Sequence, residues 1–277
     1  ILFIIAPFLT VWSAYILLIP ILSGFFTYLF LKEIKLTKFA SFFGGFIFSF
    51  SAFMVVWMEY GNLGHTFLWM PLVLLLVRRF IYNQGLVKLL FLIFVLCLSI
   101  FAGYIQLTMY VYIFALCFVF FHFLREDKKR ERLKTYLLLI ASFIVPLFLS
   151  AVQLLPTFEL LQYSARTSYT FDQLSQYLIP VKSLITVFVP DFFGNPASRN
   201  YWLPGTYIER ASYIGVLPTV FVFFAWYKRK SPYAIFFGAA ALISYLSALD
   251  IYSVKLAHSL GIPFLSTGVP SRILSIY

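Results

Sequence analysis

Charged residues are scarce in this 277-residue chain, and their scarcity excludes a soluble globular domain. Asp, Glu, Lys and Arg make up only 11% of the sequence, whereas soluble domains contain about 25%. Cysteine is nearly absent too, since Cys97 and Cys117 are the only two. Both lie in apolar runs, which is typical of buried free thiols rather than of a disulfide framework or a metal site.

The sequence also lacks the short motifs of well-known soluble enzymes. It contains no glycine-rich phosphate loop, no GxSxG, no HExxH and no CxxC, so soluble nucleotide chemistry is unsupported. Its three histidines are scattered along the chain, and no cluster of His, Asp and Glu has the spacing of metal ligands. We therefore expect neither a metal nor a cofactor.

Apolar and aromatic residues fill the sequence instead. They account for 62% and 21% of the residues, and the mean hydropathy is +0.93. The apolar runs of about 15 to 20 residues suit membrane-spanning helices, whereas the strands of a membrane barrel alternate and are about ten residues long. We predict an all-α fold: a polytopic transmembrane helix bundle.

The net charge of +11 could indicate a nucleic-acid partner, but the placement of the basic residues argues against one. Most of the 21 Lys and Arg stand in short clusters between apolar runs, which is the pattern of cytoplasmic loops. We predict that these clusters share the cytoplasmic side and that nucleic acid is not a partner. The clusters are Lys32–Lys38, Arg78–Lys88, Arg125–Lys134 and Lys228–Lys230.

Threading the chain with every basic cluster on one side gives about eight spans. They fall near residues 9–31, 39–58, 67–77, 89–102, 107–123, 135–155, 212–227 and 233–249. The chain starts at Ile1 rather than at Met and ends at Tyr277. We therefore interpret residues 1–277 as part of a single multi-span membrane domain that is truncated at both ends.

The longest polar segment runs from Pro156 to Ala211 and contains five prolines. Unpaired backbone groups each cost several kcal/mol in hydrocarbon, so such a segment must lie in water, in the interface or in a protein-lined cavity. We predict one long extracytoplasmic loop over residues 156–211, which would gather polar groups on the outer side.

Several polar residues adjoin the predicted outer ends of spans. Because an ionised group at membrane depth costs roughly 2.5 to 3.5 kcal/mol, Glu59 and Glu159 either have a functional role or anchor a helix at the interface. His65 follows Glu59 across a glycine-rich turn, where both could face one cavity. Gln106, an amide at a helix end, binds either a neighbouring helix or a polar ligand.

Four arginines also lie on the predicted outer side. A guanidinium fork suits a phosphate or pyrophosphate group, although a salt bridge to a loop carboxylate is the commoner arrangement. The residues alone leave both roles open. The four are Arg166, Arg199, Arg210 and Arg272.

Six segments, taken in order, resemble the YfhO family of bacterial multi-span membrane proteins, which is related to the GT-C class of glycosyltransferases. Their common order is more specific than any one segment. The segments are Glu59–Leu75 (EYGNLGHTFLWMPLVLL), Ala102–Gln106 (AGYIQ), Gln153–Arg166 (QLLPTFELLQYSAR), Pro190–Trp202 (PDFFGNPASRNYW), Tyr207–Pro218 (YIERASYIGVLP) and Gly261–Leu274 (GIPFLSTGVPSRIL).

The resemblance implies an enzyme of the bacterial cytoplasmic membrane with its active face outside the cytoplasm. Such an enzyme moves a sugar from a polyprenyl-phosphate carrier to a cell-envelope glycan or lipid acceptor. It needs a carboxylate to take the acceptor proton and cations to hold the departing phosphate. In GT-C enzymes the acidic residue regarded as catalytic lies in the first outer loop, which we expect upstream of Ile1.

The candidate site residues follow from that chemistry. We assign Glu59, Asp191 and Glu209 as catalytic candidates for acid–base work or hydroxyl orientation. Arg166 and Arg272 are the candidates for binding phosphate. The other substrate-binding candidates are His65, Gln106, Glu159 and Asn195.

A transporter or flippase of a lipid-linked or small polar substrate is the alternative. Such proteins bind substrate near mid-membrane between broken helices that contain charged groups. Here the spans have almost no charge and the polar groups gather at one face, which favours an enzyme. A noncatalytic subunit of envelope assembly is a third possibility.

Overall fold

The structure is a computed structural model that describes residues 7–163, 170–228, 231–260 and 268–277. Over these ranges the chain is helical, and it has no strand apart from an isolated bridge between Ile179 and Leu249. The all-α prediction is confirmed. Arg166, Arg229 and Lys230 lie outside the described residues.

The α-helices are numbered here from the amino terminus. The first group is α1 (Phe8–Glu33), α2 (Lys38–Ser49), α3 (Ala52–Val56), α4 (Asn62–Phe67), α5 (Met70–Tyr82), α6 (Leu86–Phe101), α7 (Ile105–Leu124), α8 (Lys129–Leu149) and α9 (Ala151–Tyr163). The second group is α10 (Phe171–Tyr177), α11 (Val216–Lys228), α12 (Pro232–Ala248) and α13 (Tyr252–His258). Short 3-10 helices occur at Trp57–Glu59, Val181–Val187, Pro196–Ser198, Ile208–Arg210 and Pro270–Ile276.

The chain divides into two compact units. Unit 1 comprises Ile1–Ser49 and Trp57–Tyr163, and unit 2 comprises Phe50–Val56 and Ser164–Tyr277. Each unit has buried hydrophobic residues of its own. The prediction of a single membrane domain stays a prediction.

Helices occupy every region where a span was predicted, but not all of them are long enough to cross a bilayer. In the described part of the chain, four helical segments are long and apolar enough to cross a membrane: Phe8–Glu33, Asn62–Tyr82, Ile105–Leu124 and Arg130–Leu149. A fifth is possible if α2 and Ala52–Glu59 form one bent span.

Helices α6, α11 and α12 have 16, 13 and 17 residues. At 1.5 Å per residue these helices measure about 20 to 26 Å, less than the 30 Å of hydrocarbon. The structure therefore supports a multi-span membrane protein, and the count of eight is not confirmed.

In unit 1, small residues bring α1 and α2 together, as their occurrence in the sequence suggests. A Cβ atom on Gly45 would lie 2.7 Å from the carbonyl oxygen of Gly24. The Ser49 hydroxyl bonds to the carbonyl of Gly45 at 2.7 Å, so its polar group is satisfied within α2. The two backbones are thus nearly in contact.

Three of the basic clusters meet at one end of unit 1. Arg79 pairs with Glu33, with Nε 3.1 Å from Oε2. Arg132 donates from Nη1 to the carbonyl oxygen of Ile81 at 2.8 Å. These contacts join the loops after α1, α5 and α7, which agrees with the prediction that these clusters share one side. The fourth cluster, Lys228–Lys230, belongs to unit 2.

The long polar segment begins within a helix. Helix α9 runs through Pro156 and Glu159 to Tyr163, and the prediction of an extracytoplasmic loop over residues 156–211 stays a prediction. A proline inside a helix removes one backbone donor, and in membrane helices neighbouring groups compensate for that loss.

A local cap and a small core shape the rest of the segment in unit 2. Helix α10 begins with a capping box, in which the Thr170 hydroxyl accepts from the Gln173 amide and the Gln173 side chain accepts from the Thr170 amide. The carboxyl end of α12 packs on the 3-10 helices Val181–Val187 and Pro270–Ile276. Their shared core consists of Ile179, Val187, Tyr245, Ala248, Leu249 and Leu274.

Candidate functional site

Asp191 is the most accessible carboxylate with defined neighbours in unit 2. It follows the 3-10 helix Val181–Val187, and its carbonyl accepts from the amide of Gly194 at 2.9 Å, which closes a tight turn. Its Oδ1 accepts from the Tyr207 hydroxyl at 2.9 Å and from Asn195 Nδ2 at 3.0 Å. Both hydrogen bonds are accepted by Oδ1. Among the described residues, no group donates a hydrogen bond to the other carboxylate oxygen, Oδ2. Asp191 is an exposed residue, so this second oxygen is the one available to a ligand.

Asn195 fixes both the loop and the carboxylate. Its Oδ1 accepts from the Ala197 amide at 2.8 Å and caps the 3-10 helix Pro196–Ser198. Its backbone amide donates to Asn200 Oδ1 at 2.9 Å. Its Nδ2 group donates the hydrogen bond that orients the Asp191 carboxylate. The predicted contact between Asn195 and a sugar stays a prediction.

Two tyrosines form a wall beside Asp191. The rings of Tyr201 and Tyr207 meet edge to face, with centroids 5.6 Å apart. Both line an open groove of about 410 Å³, together with Arg199, Gly205 and other residues of the same loop. Burial, and then the bond to Asp191, raises the pKa of Tyr207 to about 12, so its hydroxyl donates at neutral pH.

The groove is of the size that binds small polar molecules, since ligand sites in proteins measure about 300 to 1,000 Å³. Tyrosine rings offer flat apolar faces with a hydroxyl at the edge. Asp191 is joined to the groove wall through Tyr207. The arrangement can bind a hydroxylated ligand beside the Asp191 carboxylate.

Glu209 and Arg272 form a buried ion pair. Arg272 Nη2 lies 2.7 Å from Glu209 Oε1, and Nε lies 3.2 Å from each carboxylate oxygen. Their side chains are only 9% and 15% exposed. The pair joins the 3-10 helix Ile208–Arg210 to the 3-10 helix Pro270–Ile276.

Burial acts on both members of this pair. It raises the pKa of Glu209 to about 7, with the Ser271 hydroxyl opposing the shift, and it lowers the pKa of Arg272 to about 10. The guanidinium charge favours the ionised carboxylate. Glu209 and Arg272 therefore serve as each other's counter-ion. The predicted roles of Glu209 in catalysis and of Arg272 in phosphate binding stay predictions.

Arg210 is the buried arginine next to this pair. It is 6% exposed and donates to Tyr201 Oη at 3.2 Å, to the Leu178 carbonyl at 3.4 Å and to the Gln176 carbonyl at 3.5 Å. With Ser183 and both tyrosines it lines a small inner cavity, which leaves about 20 Å³ for the centre of a water molecule.

The candidates in unit 1 have mainly structural contacts. His65 Nε2 donates to the carbonyl of Tyr15 at 2.8 Å, and the two rings stack with centroids 3.7 Å apart. Gln106 is buried and donates to the Tyr110 hydroxyl at 2.8 Å. Glu59 and Glu159 are exposed. Their predicted catalytic and binding roles stay predictions.

The structure thus brings Asp191 to Asn195 and Glu209 to Arg272, while Arg166 lies outside the described residues. Over the described ranges, no three His, Cys, Asp or Glu side chains are grouped as metal ligands. Sequence reasoning missed Tyr201 and Tyr207 as site residues. The available signal was two aromatic residues flanking a Pro-Gly turn in a segment predicted to lie outside hydrocarbon.

The chain matches one protein-family model, described as "Bacterial membrane protein YfhO", over residues 1–253. No curated protein and no solved structure matches it. The match covers all candidate site residues except Arg272, and it includes the long polar segment of unit 2. The chain belongs to the YfhO family of bacterial membrane proteins.

Proposed function

We propose that this protein is a membrane glycosyltransferase. It moves a sugar from a polyprenyl-phosphate carrier to a cell-envelope glycan or lipid acceptor on the extracytoplasmic face. The observation that supports this best is the placement of Asp191, an exposed carboxylate oriented through one oxygen by Tyr207 and Asn195. The tyrosine-lined groove of about 410 Å³ lies against the same Tyr207.

In the proposed reaction Asp191 is the general base. Its free Oδ2 takes the proton of the acceptor hydroxyl as the hydroxyl oxygen forms a bond to the anomeric carbon. The bond from that carbon to the phosphate oxygen breaks, and polyprenyl phosphate leaves with the electron pair. Tyr207 keeps Asp191 in position and, with Tyr201, offers a surface for the sugar.

Membrane insertion fits a lipid-linked donor. We propose that α6, α11 and α12 also cross the bilayer, which gives eight spans with the basic clusters inside and the polar segment of unit 2 outside. Many large apolar side chains on these helices are exposed, such as Phe94, Phe223 and Ile243. Such surfaces suit contact with lipid tails and with the isoprenoid of the donor.

The test is to separate transfer from transport. The full-length protein is reconstituted in vesicles with a polyprenyl-phosphate sugar labelled in the sugar. A transferase releases polyprenyl phosphate in proportion to the label found on an added acceptor. A flippase moves the intact lipid across the bilayer without breaking the anomeric bond, and that outcome would rule out the proposal.

A further inference from the structure

Arg210 is a buried guanidinium without a counter-ion among the described residues. The described ion pairs of unit 2 are Lys255 with Asp250 and Arg272 with Glu209, and neither includes Arg210. Its three side-chain acceptors are a tyrosine hydroxyl and two backbone carbonyls, all neutral. Burial of a charge is costly unless the charge is paired.

The Arg210 guanidinium makes only long, weak hydrogen bonds to the described residues. They measure 3.2 to 3.5 Å, whereas a guanidinium bonded to an anion has distances of about 2.7 to 2.9 Å. The neighbouring Arg272 reaches 2.7 Å to Glu209 in the same unit. The two arginines are similarly buried, but of the two only Arg272 has a carboxylate partner in the described part of the chain.

A second buried donor faces the same space. The Ser183 side chain is 1% exposed, and its hydroxyl has no hydrogen-bond partner among the described residues. Ser183 and Arg210 line the inner cavity together. A buried polar atom without a partner is rare in proteins and calls for a ligand or a water.

We propose that Arg210 and Ser183 form the recognition site for a phosphoryl oxyanion. One anionic oxygen enters the inner cavity, which has room for a single oxygen, and displaces the Tyr201 hydroxyl from Nη1. The remainder of the ligand lies in the open groove, which shares Tyr201 and Tyr207 with the cavity. The planar fork favours phosphate over a spherical anion such as chloride.

The oxyanion can come from free phosphate or from a lipid phosphate head group. Binding itself does not depend on the proposed function. One further step does rest on the proposed function: that the phosphate bound by Arg210 is the one that leaves during sugar transfer. If transfer fails while phosphate binding is found, the glycosyltransferase proposal falls and the oxyanion site remains.

The test uses thermal unfolding of the full-length protein in neutral-lipid nanodiscs. The probes are inorganic phosphate against chloride at equal ionic strength, and polyprenyl monophosphate against uncharged polyprenol. We expect at least one phosphate probe to raise the unfolding midpoint of the wild type. Arg210→Gln should abolish the rise. Lys182→Gln, which removes an exposed charge from the 3-10 helix Val181–Val187, should leave the rise intact.

Tyr201→Phe keeps the test decisive if Arg210→Gln fails to fold. Removing the competing hydroxyl deletes a neutral hydrogen bond, so the affinity for the phosphate probe should rise about 2- to 10-fold. A rise with inorganic phosphate alone identifies a free anion, and a rise with polyprenyl monophosphate alone identifies a lipid head group. No rise with either probe, or equal rises in the wild type and Arg210→Gln, would overturn the proposal.

Discussion

Replacement of Arg272 by methionine should make the stability of the protein strongly dependent on pH. The substitution keeps a long apolar side chain but leaves Glu209 as a buried carboxyl without its guanidinium partner, at 9% exposure. Loss of one partner of a buried ion pair costs about 3 kcal/mol or more, because the remaining charge is uncompensated. The cost should therefore appear only where Glu209 is ionised.

The direction of the pH effect follows from the raised pKa of Glu209. Its ordinary pKa is 4.5, and burial raises the pKa to about 7 in the folded protein. Between these values the folded state binds a proton that the unfolded state has released, so stability falls as pH rises. In the wild type the Glu209 contribution is fully present below pH 4.5 and is lost as pH rises through about 7. Removing the guanidinium in Arg272→Met disfavours the ionised carboxylate further, so the loss of stability between pH 5 and pH 8 is larger in the variant than in the wild type.

The assay is thermal unfolding in detergent at a fixed scan rate, at pH 5 and pH 8. At about 2 to 4 °C per kcal/mol for a chain of this size, Arg272→Met should lower the midpoint by about 6 °C or more at pH 8 and much less at pH 5. Adding Glu209→Gln should restore most of the loss at pH 8, because the buried charge is then removed. Equal destabilisation at both pH values would refute the reasoning.

Three further outcomes are expected. Tyr207→Phe removes an exposed hydrogen bond to Asp191, worth about 0.5 to 1.5 kcal/mol of stability, and should lower the kcat of transfer about 10-fold or more while the unfolding midpoint falls by no more than about 6 °C. Gly205→Ala should destabilise unit 2 by at least about 1 kcal/mol, because Gly205 has φ +87° and its Cβ would lie 2.7 Å from Arg210 Nη2. Gly45→Ala should lower the unfolding midpoint, because its Cβ would press on the Gly24 carbonyl, whereas Gly85→Ala, with no atom within 4 Å of the new Cβ, should not. A midpoint equally insensitive to both substitutions would contradict the close approach of α1 and α2.

The sequence was sufficient to predict the long apolar helices of unit 1 and their basic ends, but not the course of α9 through Pro156 to Tyr163. Apolar runs and basic clusters act locally, and the contacts of Arg79 with Glu33 and of Arg132 with Ile81 agree with them. The sequence was less informative about the number of spans. Helices α6 and α11 have 16 and 13 residues, so their length alone does not show that they cross the bilayer.

The site was harder to predict, because its contacts join distant parts of the chain. Glu209 and Arg272 are 63 positions apart, and Tyr207 reaches Asp191 across 16. Composition alone could not distinguish the paired Arg272 from the unpaired Arg210. That distinction depends on which carboxylate lies within 4 Å after folding, and no local pattern encodes it.

The most direct test of the proposed function compares two aspartates of unit 2. Initial rates of sugar transfer from a polyprenyl-phosphate donor are measured for the wild type, Asp191→Asn and Asp172→Asn. Asp172 is exposed on α10 and is the matched control. The proposed function predicts that Asp191→Asn lowers kcat by about 100-fold or more while Asp172→Asn stays near the wild-type rate. An Asp191→Asn variant that is folded and transfers sugar as fast as the wild type would contradict it.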